Sequence, residues 1–332
     1  MTGGLFLVLL LILGAEFVNG WTDAPNSIAT VVGTRSLTPV QAVAMAAVLN
    51  LAGVLCTGTA VAATIGTGIV DPSAIDLTTI GGAMLGIIVW STLAARWGIP
   101  TSESHALVAG LAGAGMAAAG PGVLIAAGWK KVLLGILFSS FLGFGVGILL
   151  MAAIFWLLRN ADARPLRARF RWLQVSSAGF MAFSHGSNDG QKFMGVFALS
   201  LFIAGEMEVF SVPLWVMLLC AVVMAAGTSI GGWRILRTMG TRITKLKAHQ
   251  GFAAETAAAG TIALASQMGI PLSTTHTITT SIMGVGAVRS FNAVRWMVVS
   301  DLVIAWVATF PVCAAIAWAS VKALKAIEAM IS

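Results

Sequence analysis

An all-α protein that enters or crosses the bilayer with about ten to twelve elements is the fold class this chain predicts, and three observations carry the prediction. Hydrophobic residues fill 58% of its 332 positions and charged residues 9%, against about 25% charged in soluble domains. So little polar material could not cover the surface of a soluble fold of this length. The apolar residues also run in stretches that reach the roughly 20 positions a membrane helix needs, among them Val40 to Val70, Val132 to Leu158, Val212 to Trp233 and Trp296 to Val321. Finally, two sets of polar motifs recur in the same order in the two halves of the chain.

Taken from the start, Met1 to Gly14 is apolar but lacks a basic leading region and runs straight into a polar motif, so it reads as the first membrane segment rather than a secretory leader. Cys56, Cys220 and Cys313 each lie inside an apolar run and read as small buried residues. The net charge of +7 is concentrated. Arg159, Arg164, Arg167, Arg169 and Arg171 fill one segment, and Arg234, Arg237, Arg242, Lys245 and Lys247 another. Basic clusters between apolar spans mark cytoplasmic loops that meet anionic lipid, not nucleic acid.

Placing both clusters on one side gives Trp172 to Ala204 a single crossing, although it holds His185 to Lys192 in its middle. Polar backbone at that depth is tolerated only inside protein or along a cavity, so this stretch is expected to be a broken helix. The stretch around Asn19 to Asn26 is expected to break likewise. The same count puts Arg35 inside, Asp71, Asp76, Glu206 and Glu208 outside, and both termini outside the cell's inner (plasma) membrane. Lys322 and Lys325 weigh against that placement of the C-terminus.

The repeat is strongest between Gly98-Ile-Pro-Thr-Ser-Glu-Ser-His105 and Gly269-Ile-Pro-Leu-Ser-Thr-Thr-His276. Gly113 and Gly115 match Gly284 and Gly286 at the same offset of 171. A second pair aligns Asn19-Gly-Trp-Thr-Asp-Ala-Pro-Asn26 with His185-Gly-Ser-Asn-Asp-Gly-Gln-Lys192, sharing Gly20/Gly186 and Asp23/Asp189. The chain therefore divides into residues 1–158, a basic cytoplasmic loop over 159–171, and residues 172–332. The topology makes the two repeats inverted, and inverted repeats with interrupted helices point to a secondary transporter with its site at the repeat interface.

The motif chemistry suits an oxyanion held beside cations. Thr101, Ser102, Ser104, Ser273, Thr274 and Thr275 carry hydroxyls that can donate to an anion. Each cluster follows a proline and opens an apolar run, which reads as a helix start, where free N–H groups and the dipole favour an anion. Asp23, Asp189, Asn19, Asn26 and Asn188 supply oxygens suited to hard cations such as Na+. Anion and cations would then offset each other's desolvation, a physical reason for symport. Glu255 breaks the repeat, since Met84 stands at the matching position; it reads as a cation ligand or proton carrier. Lys192 could meet the anion or pair with Asp189. His105 and His276 read as orienting or packing groups, and no P-loop signals ATP use.

These motifs resemble those of the PiT family of inorganic phosphate transporters: Asn19 to Val31 is similar to its first signature, Phe183 to Lys192 to its second, and Gly269 to His276 to its hairpin motif. The resemblance runs from Glu16 to about Gly286. It implies phosphate as substrate, carried with Na+ or H+ or as a metal–phosphate complex. It implies two re-entrant hairpins with Thr101 to Ser104 and Ser273 to Thr275 near their tips, and Asp23, Asn26, Asn188 and Asp189 at the site. Asn26 and Gln191 are placed among the phosphate ligands, Asp23 and Asp189 as the Na+ ligands, and Glu255 as a coupling acid. A homodimer is an expectation from the resemblance. No resident cofactor and no enzymatic activity are expected, because each motif occurs twice while a catalytic centre needs one asymmetric set. Pro25, Glu103 and Asn50 depart from the family pattern and bear on the coupling ion. The rival reading is a sulfate–cation symporter of the same superfamily. A membrane-embedded enzyme and a structural scaffold explain the motifs less well.

Overall fold

The computed structural model describes residues 3–331, and among them the chain is helical with no named strand. The helices are α1 (Gly3–Gly33), α2 (Pro39–Cys56), α3 (Ala60–Gly68), α4 (Leu77–Trp97), α5 (Glu103–Ala119), α6 (Ala126–Leu137), α7 (Gly143–Leu158), α8 (Ala163–Ile203), α9 (Leu214–Thr228), α10 (Trp233–Arg237), α11 (Ala248–Gln267), α12 (Thr274–Arg289) and α13 (Trp296–Ile331). A π-turn over Phe138–Leu142 joins α6 and α7 into one rod. Among the described residues five helices are long and apolar enough to cross a membrane, and a sixth if α9 and α10, bent by 62°, count as one span. The others miss that standard for identifiable reasons. Helices α5 and α12 have only 17 and 16 residues. Helices α8 and α11 carry buried polar residues along their length.

Local signals start and stop these elements. Thr38 caps α2 in a box with Gln41, with Pro39 in the first turn. Asp76 caps α4 through the Thr79 amide at 2.8 Å. Gly98 and Gly269 end α4 and the last turn after α11 with φ of 70° and 65°, the left-handed conformation that glycine adopts without a Cβ penalty. Ser102 and Ser273 then cap α5 and α12 by accepting from the amides of His105 (3.3 Å) and His276 (3.1 Å).

The order of elements repeats. The offset of 171 that relates Gly98 to Gly269 also relates the start of α4 to that of α11 and the start of α5 to that of α12. Contacts between the halves come in reciprocal pairs. Gly20 of α1 lies so close to the Met224 carbonyl of α9 that a side chain would overlap it, and its counterpart Gly186 of α8 lies equally close to the Asn50 carbonyl of α2. Thr64 of α3 donates to the Gly269 carbonyl at 2.8 Å, and Thr238, just after α10, donates to the Gly98 carbonyl at 2.9 Å. Gly113 of α5 meets Ala314 of α13, as Gly284 of α12 meets Phe144 of α7. Each half therefore wraps its helices around those of the other. Such backbone approach through small residues is how helices associate where lipid removes the hydrophobic drive.

Charge separates by face. Arg35, Arg159, Arg167, Arg171, Lys247 and His249 line one cavity of about 940 Å³. At the other end Asp76 pairs with Lys325 at 3.0 Å and Thr78 donates to Glu328 at 2.5 Å. The end of α13 thus sits beside the Asp76 loop. The contact with Asp76 gives Lys325 an acidic partner on this face.

Three expectations are corrected. Neither α1 nor α8 is broken: both run unbroken through Asn19–Asn26 and His185–Lys192. The polar side chains find partners on neighbouring helices, so the backbone ladder need not open to satisfy them. Pro25 removes only the donor to the Trp21 carbonyl, and the backbone of Gly232 packs against that carbonyl. The basic segment expected as a loop over 159–171 is helical from Ala163 onward, forming the first turns of α8. Gln191, expected as a phosphate ligand, instead closes the start of α3. Its carbonyl accepts from the amides of Val61 (2.9 Å) and Ala62 (3.4 Å), where Thr59 makes no side-chain cap.

Gly186→Ala should lower stability by about 1–3 kcal/mol through overpacking, while Gly145→Ala, with nothing within 4 Å of the added carbon, should be neutral or stabilising by about 0.5–1 kcal/mol. Gln191→Ala should cost about 0.5–2 kcal/mol, the range of a lost helix cap. Thermal melts in detergent read all three; a harmless Gly186→Ala would refute the close crossing.

Candidate functional site

Four elements converge at the centre. The middles of α1 and α8 bring Asp23 and Asp189; the turns before α5 and α12 bring hydroxyls and two helix starts. Thr274 donates to Asp189 Oδ2 at 3.1 Å, and Thr275 lies 3.4 Å from Asp23 Oδ1. The Asn26 amide donates to the hydroxyls of Thr275 (3.0 Å) and Thr274 (3.3 Å). Lys192 donates to Asp189 Oδ1, to Ser104 Oγ at 2.5 Å and to the Leu272 carbonyl at 3.2 Å. Ser104 also donates to Leu272 at 2.8 Å, which ties one turn to the other. All of these polar side chains are buried.

The two helix starts add fixed positive character. With Ser102 and Ser273 each satisfying the third amide of its helix, the earlier amides have no acceptor within the helix. They lie with Ser104, Thr274 and Thr275 at the point where an anion would be favoured. Behind them the rings of His105 and His276 meet edge to face at 4.5 Å, and His276 stacks on Trp306 at 3.7 Å. Both histidines pack through their ring faces, and their ring nitrogens make no hydrogen bond among the described residues.

Asp23, His185 and Asp189 each offer a ligand atom within 4.8 Å of the others, the one such group among the described residues. His185 lies 3.5 Å from Asp189 through Nε2, and its Nδ1 lies 3.2 Å from the Asn50 amide oxygen. His185 belongs to the polar run of α8 but is a site residue that its motif alone does not single out. Read along unbroken helices, however, Glu16, Asn19, Asp23, Asn26 and Thr30 lie on one face of α1, and His185, Asp189 and Lys192 on one face of α8. That spacing was the available signal, and the expectation of broken helices concealed it.

Other nominated residues lie around this centre with separate partners. Asn19 donates to Glu16 at 3.1 Å. Asn188 donates to Ser266 (2.9 Å) and the Ile270 carbonyl (3.3 Å), fastening α8 to the turn before α12. Thr101 is buried in the turn before α5. Glu103, an acid next to the hydroxyls, accepts from Thr22 (2.9 Å) and Ser91 (2.8 Å), so both its oxygens are held. Glu255 forms a second centre, taking bonds from Thr30, Ser177 and, at 3.3 Å, Gln174. Gln174 in turn accepts from Thr34 (2.7 Å) and Ser36 (2.6 Å), which line the basic cavity. Asp23 and Thr30 are two turns apart on α1, about 10 Å, so the Glu255 cluster lies between the central site and that cavity.

Five carboxyl groups, those of Glu16, Asp23, Glu103, Asp189 and Glu255, are buried, and Lys192 is the only buried lysine or arginine among the described residues. Such an excess of acid in a low-dielectric interior requires protons or bound cations to balance it.

Comparison with known proteins agrees with this chemistry. The sequence profile described as the Phosphate transporter family matches residues 19–168 and 159–317. A protein of Rhizobium meliloti named "Probable low-affinity inorganic phosphate transporter" is 45% identical over 302 residues, 91% of this chain and 90% of its own. One of the same name from Bacillus subtilis is 36% identical, covering 93% of each. A solved structure described as "The sodium-dependent phosphate transporter" superposes with a TM-score of 0.89 over 98% of this chain and all of its own, at 25% identity. With apolar helices around a buried site of hydroxyls, helix starts and acids, the chain is an integral membrane protein that belongs to the phosphate transporter family.

Proposed function

We propose that this protein imports inorganic phosphate by symport with a cation, Na+ or H+, or as a metal–phosphate complex. The observation that carries the reading is the meeting of two hydroxyl-bearing helix starts with Asp23 and Asp189 at one buried point. Ser104, Thr274, Thr275, Asn26 and the two helix starts receive the anion. Asp23 and Asp189 hold the coupling cation close by, so each ion lowers the desolvation cost of the other. Ser102 and Ser273 act by holding the helix starts in shape. The name of the sodium-dependent structural relative supports Na+ as the ion.

The reciprocal contacts between the halves support an inverted pair of repeats, residues 1–158 and 172–332, rocking about the central site. On this reading α4–α5 and α11–α12 are the re-entrant hairpins. The face bearing Arg35, Arg159, Arg167, Arg171 and Lys247 is cytoplasmic, and both termini lie outside the inner membrane. The basic cavity then attracts phosphate on the cytoplasmic side, and Glu255 carries a proton or cation between it and the centre. Two copies of the chain form the working unit, and the lipid bilayer surrounds it.

The test is uptake of radiolabelled phosphate by proteoliposomes under an imposed Na+ or pH gradient, with excess sulfate as competitor. Uptake that follows one gradient and ignores sulfate is expected; sulfate-sensitive or absent phosphate uptake would return the substrate to sulfate. Asp23→Asn and Asp189→Asn should each reduce uptake more than about 100-fold, since losing a buried partner charge costs several kcal/mol, while the protein still elutes as a folded species. Near-normal uptake by either would remove the carboxylates from the cation site.

A further inference from the structure

The two copies of the central motif differ at one position in a way that changes the charge of the site. Aligned on Gly20/Gly186 and Asp23/Asp189, Asn26 of α1 corresponds to Lys192 of α8. Both follow their aspartate by three residues, so both project next to that carboxylate. In the first half the position holds a neutral amide. In the second it holds an ammonium, fully buried, whose three neighbours are a carboxylate oxygen of Asp189, the hydroxyl of Ser104 and the carbonyl of Leu272.

Carboxylate, hydroxyl and backbone carbonyl oxygens are the donor set of a hard monovalent cation. We propose that the Lys192 ammonium is a tethered cation standing in the coupling-ion position of the second half, so that this half binds no Na+. This rests on the reading of Asp23 and Asp189 as the cation site. A structural ion pair is the alternative, but a buried pair is a weak source of stability because desolvation offsets its attraction. Nor does a fold-stabilising role account for the ammonium reaching past Asp189 to the first turn of α5 and the turn before α12, the elements that receive the substrate.

The consequence is a change in ion count. Asp23 and Asp189 lie close together, and two carboxylates there call for two positive charges. With Lys192 supplying one permanently, one exchangeable cation remains, whereas a chain with an amide at both positions would take two. Lys192 also brings a fixed positive charge to Ser104, on the anion's side of the site, which lessens the dependence of phosphate binding on Na+.

The experiment compares wild type with Lys192→Asn, which recreates the first-half motif, and Lys192→Arg, which keeps the charge. Phosphate uptake into proteoliposomes is measured against Na+ concentration, with choline as replacement, and 22Na+ binding to the purified protein is measured at saturating phosphate. Wild type should bind no more than one Na+ per chain, with a Hill slope of about one. Lys192→Asn should bind about one more, its slope should rise toward about two, and its uptake in the absence of Na+ should fall at least about tenfold, as expected when roughly 1.4 kcal/mol or more is withdrawn. Lys192→Arg should keep the wild-type ion count.

Two bound Na+ in wild type would overturn the proposal, as would a Lys192→Asn protein that transports with unchanged Na+ dependence and binding. If Lys192→Asn fails to fold, the wild-type count alone decides. Failure of the transport reading is a separate result, since it shows as absence of phosphate uptake by wild type.

Discussion

Burying carboxylates where there is no water to solvate them is the constraint on which this structure depends. Asp23 and Asp189 sit at the middle of two long helices, far from either end, and hydrocarbon cannot surround them. The helices around them therefore supply polar contacts from within. The turns before α5 and α12 are drawn to the centre by bonds from Thr274, Thr275 and Lys192. The backbone-close crossings at Gly20 and Gly186 permit that convergence, because a side chain at either would hold α9 or α2 away. The polar centre and the small-residue crossings are two sides of one packing solution.

Duplication builds the frame and departures from it build the chemistry. Reciprocal contacts such as Thr64 to Gly269 and Thr238 to Gly98 place equivalent elements around a common centre. Residues within that frame then diverge: Asn26 against Lys192, Glu103 against Thr274, Met84 against Glu255. Each pair exchanges a charged side chain for a neutral one. A tetrahedral oxyanion tolerates a nearly symmetric cradle of hydroxyls and amides, whereas coupling requires charges that differ in mobility. Under the proposed symport, the frame serves the anion and the departures serve the coupling ions.

Much of the site was legible in the linear chain because its residue types are costly in a membrane. An aspartate or a Ser-Thr-Thr run inside an apolar stretch stands out, and Asp23, Asp189, Asn26, Ser104, Thr274 and Thr275 do meet. Their partners were harder to read. His185 and Glu16 entered view only once α1 and α8 were known to be unbroken, since helical spacing has no meaning across an assumed break. Gln191 lies in the same polar run as Asp189, yet its amide faces α3. The rotation of α8 turns Gln191 toward α3 and away from Asp189, which a motif match does not reveal.

By itself the sequence determined the membrane environment, the helical class, the repeat at an offset of 171, and the chemistry available at the centre. Those follow from composition and local spacing, which act along the chain. The tertiary structure alone decided that the polar motifs ride on continuous helices, that Glu255 has a cluster of its own with Thr30, Ser177 and Gln174, and that Lys192 lies against Asp189, Ser104 and Leu272 together. Those facts turn on whether a polar group finds its partner in its own helix or in a neighbour 78 or more residues away. The energy of such a pairing depends on distance and burial, which no reading along the chain contains.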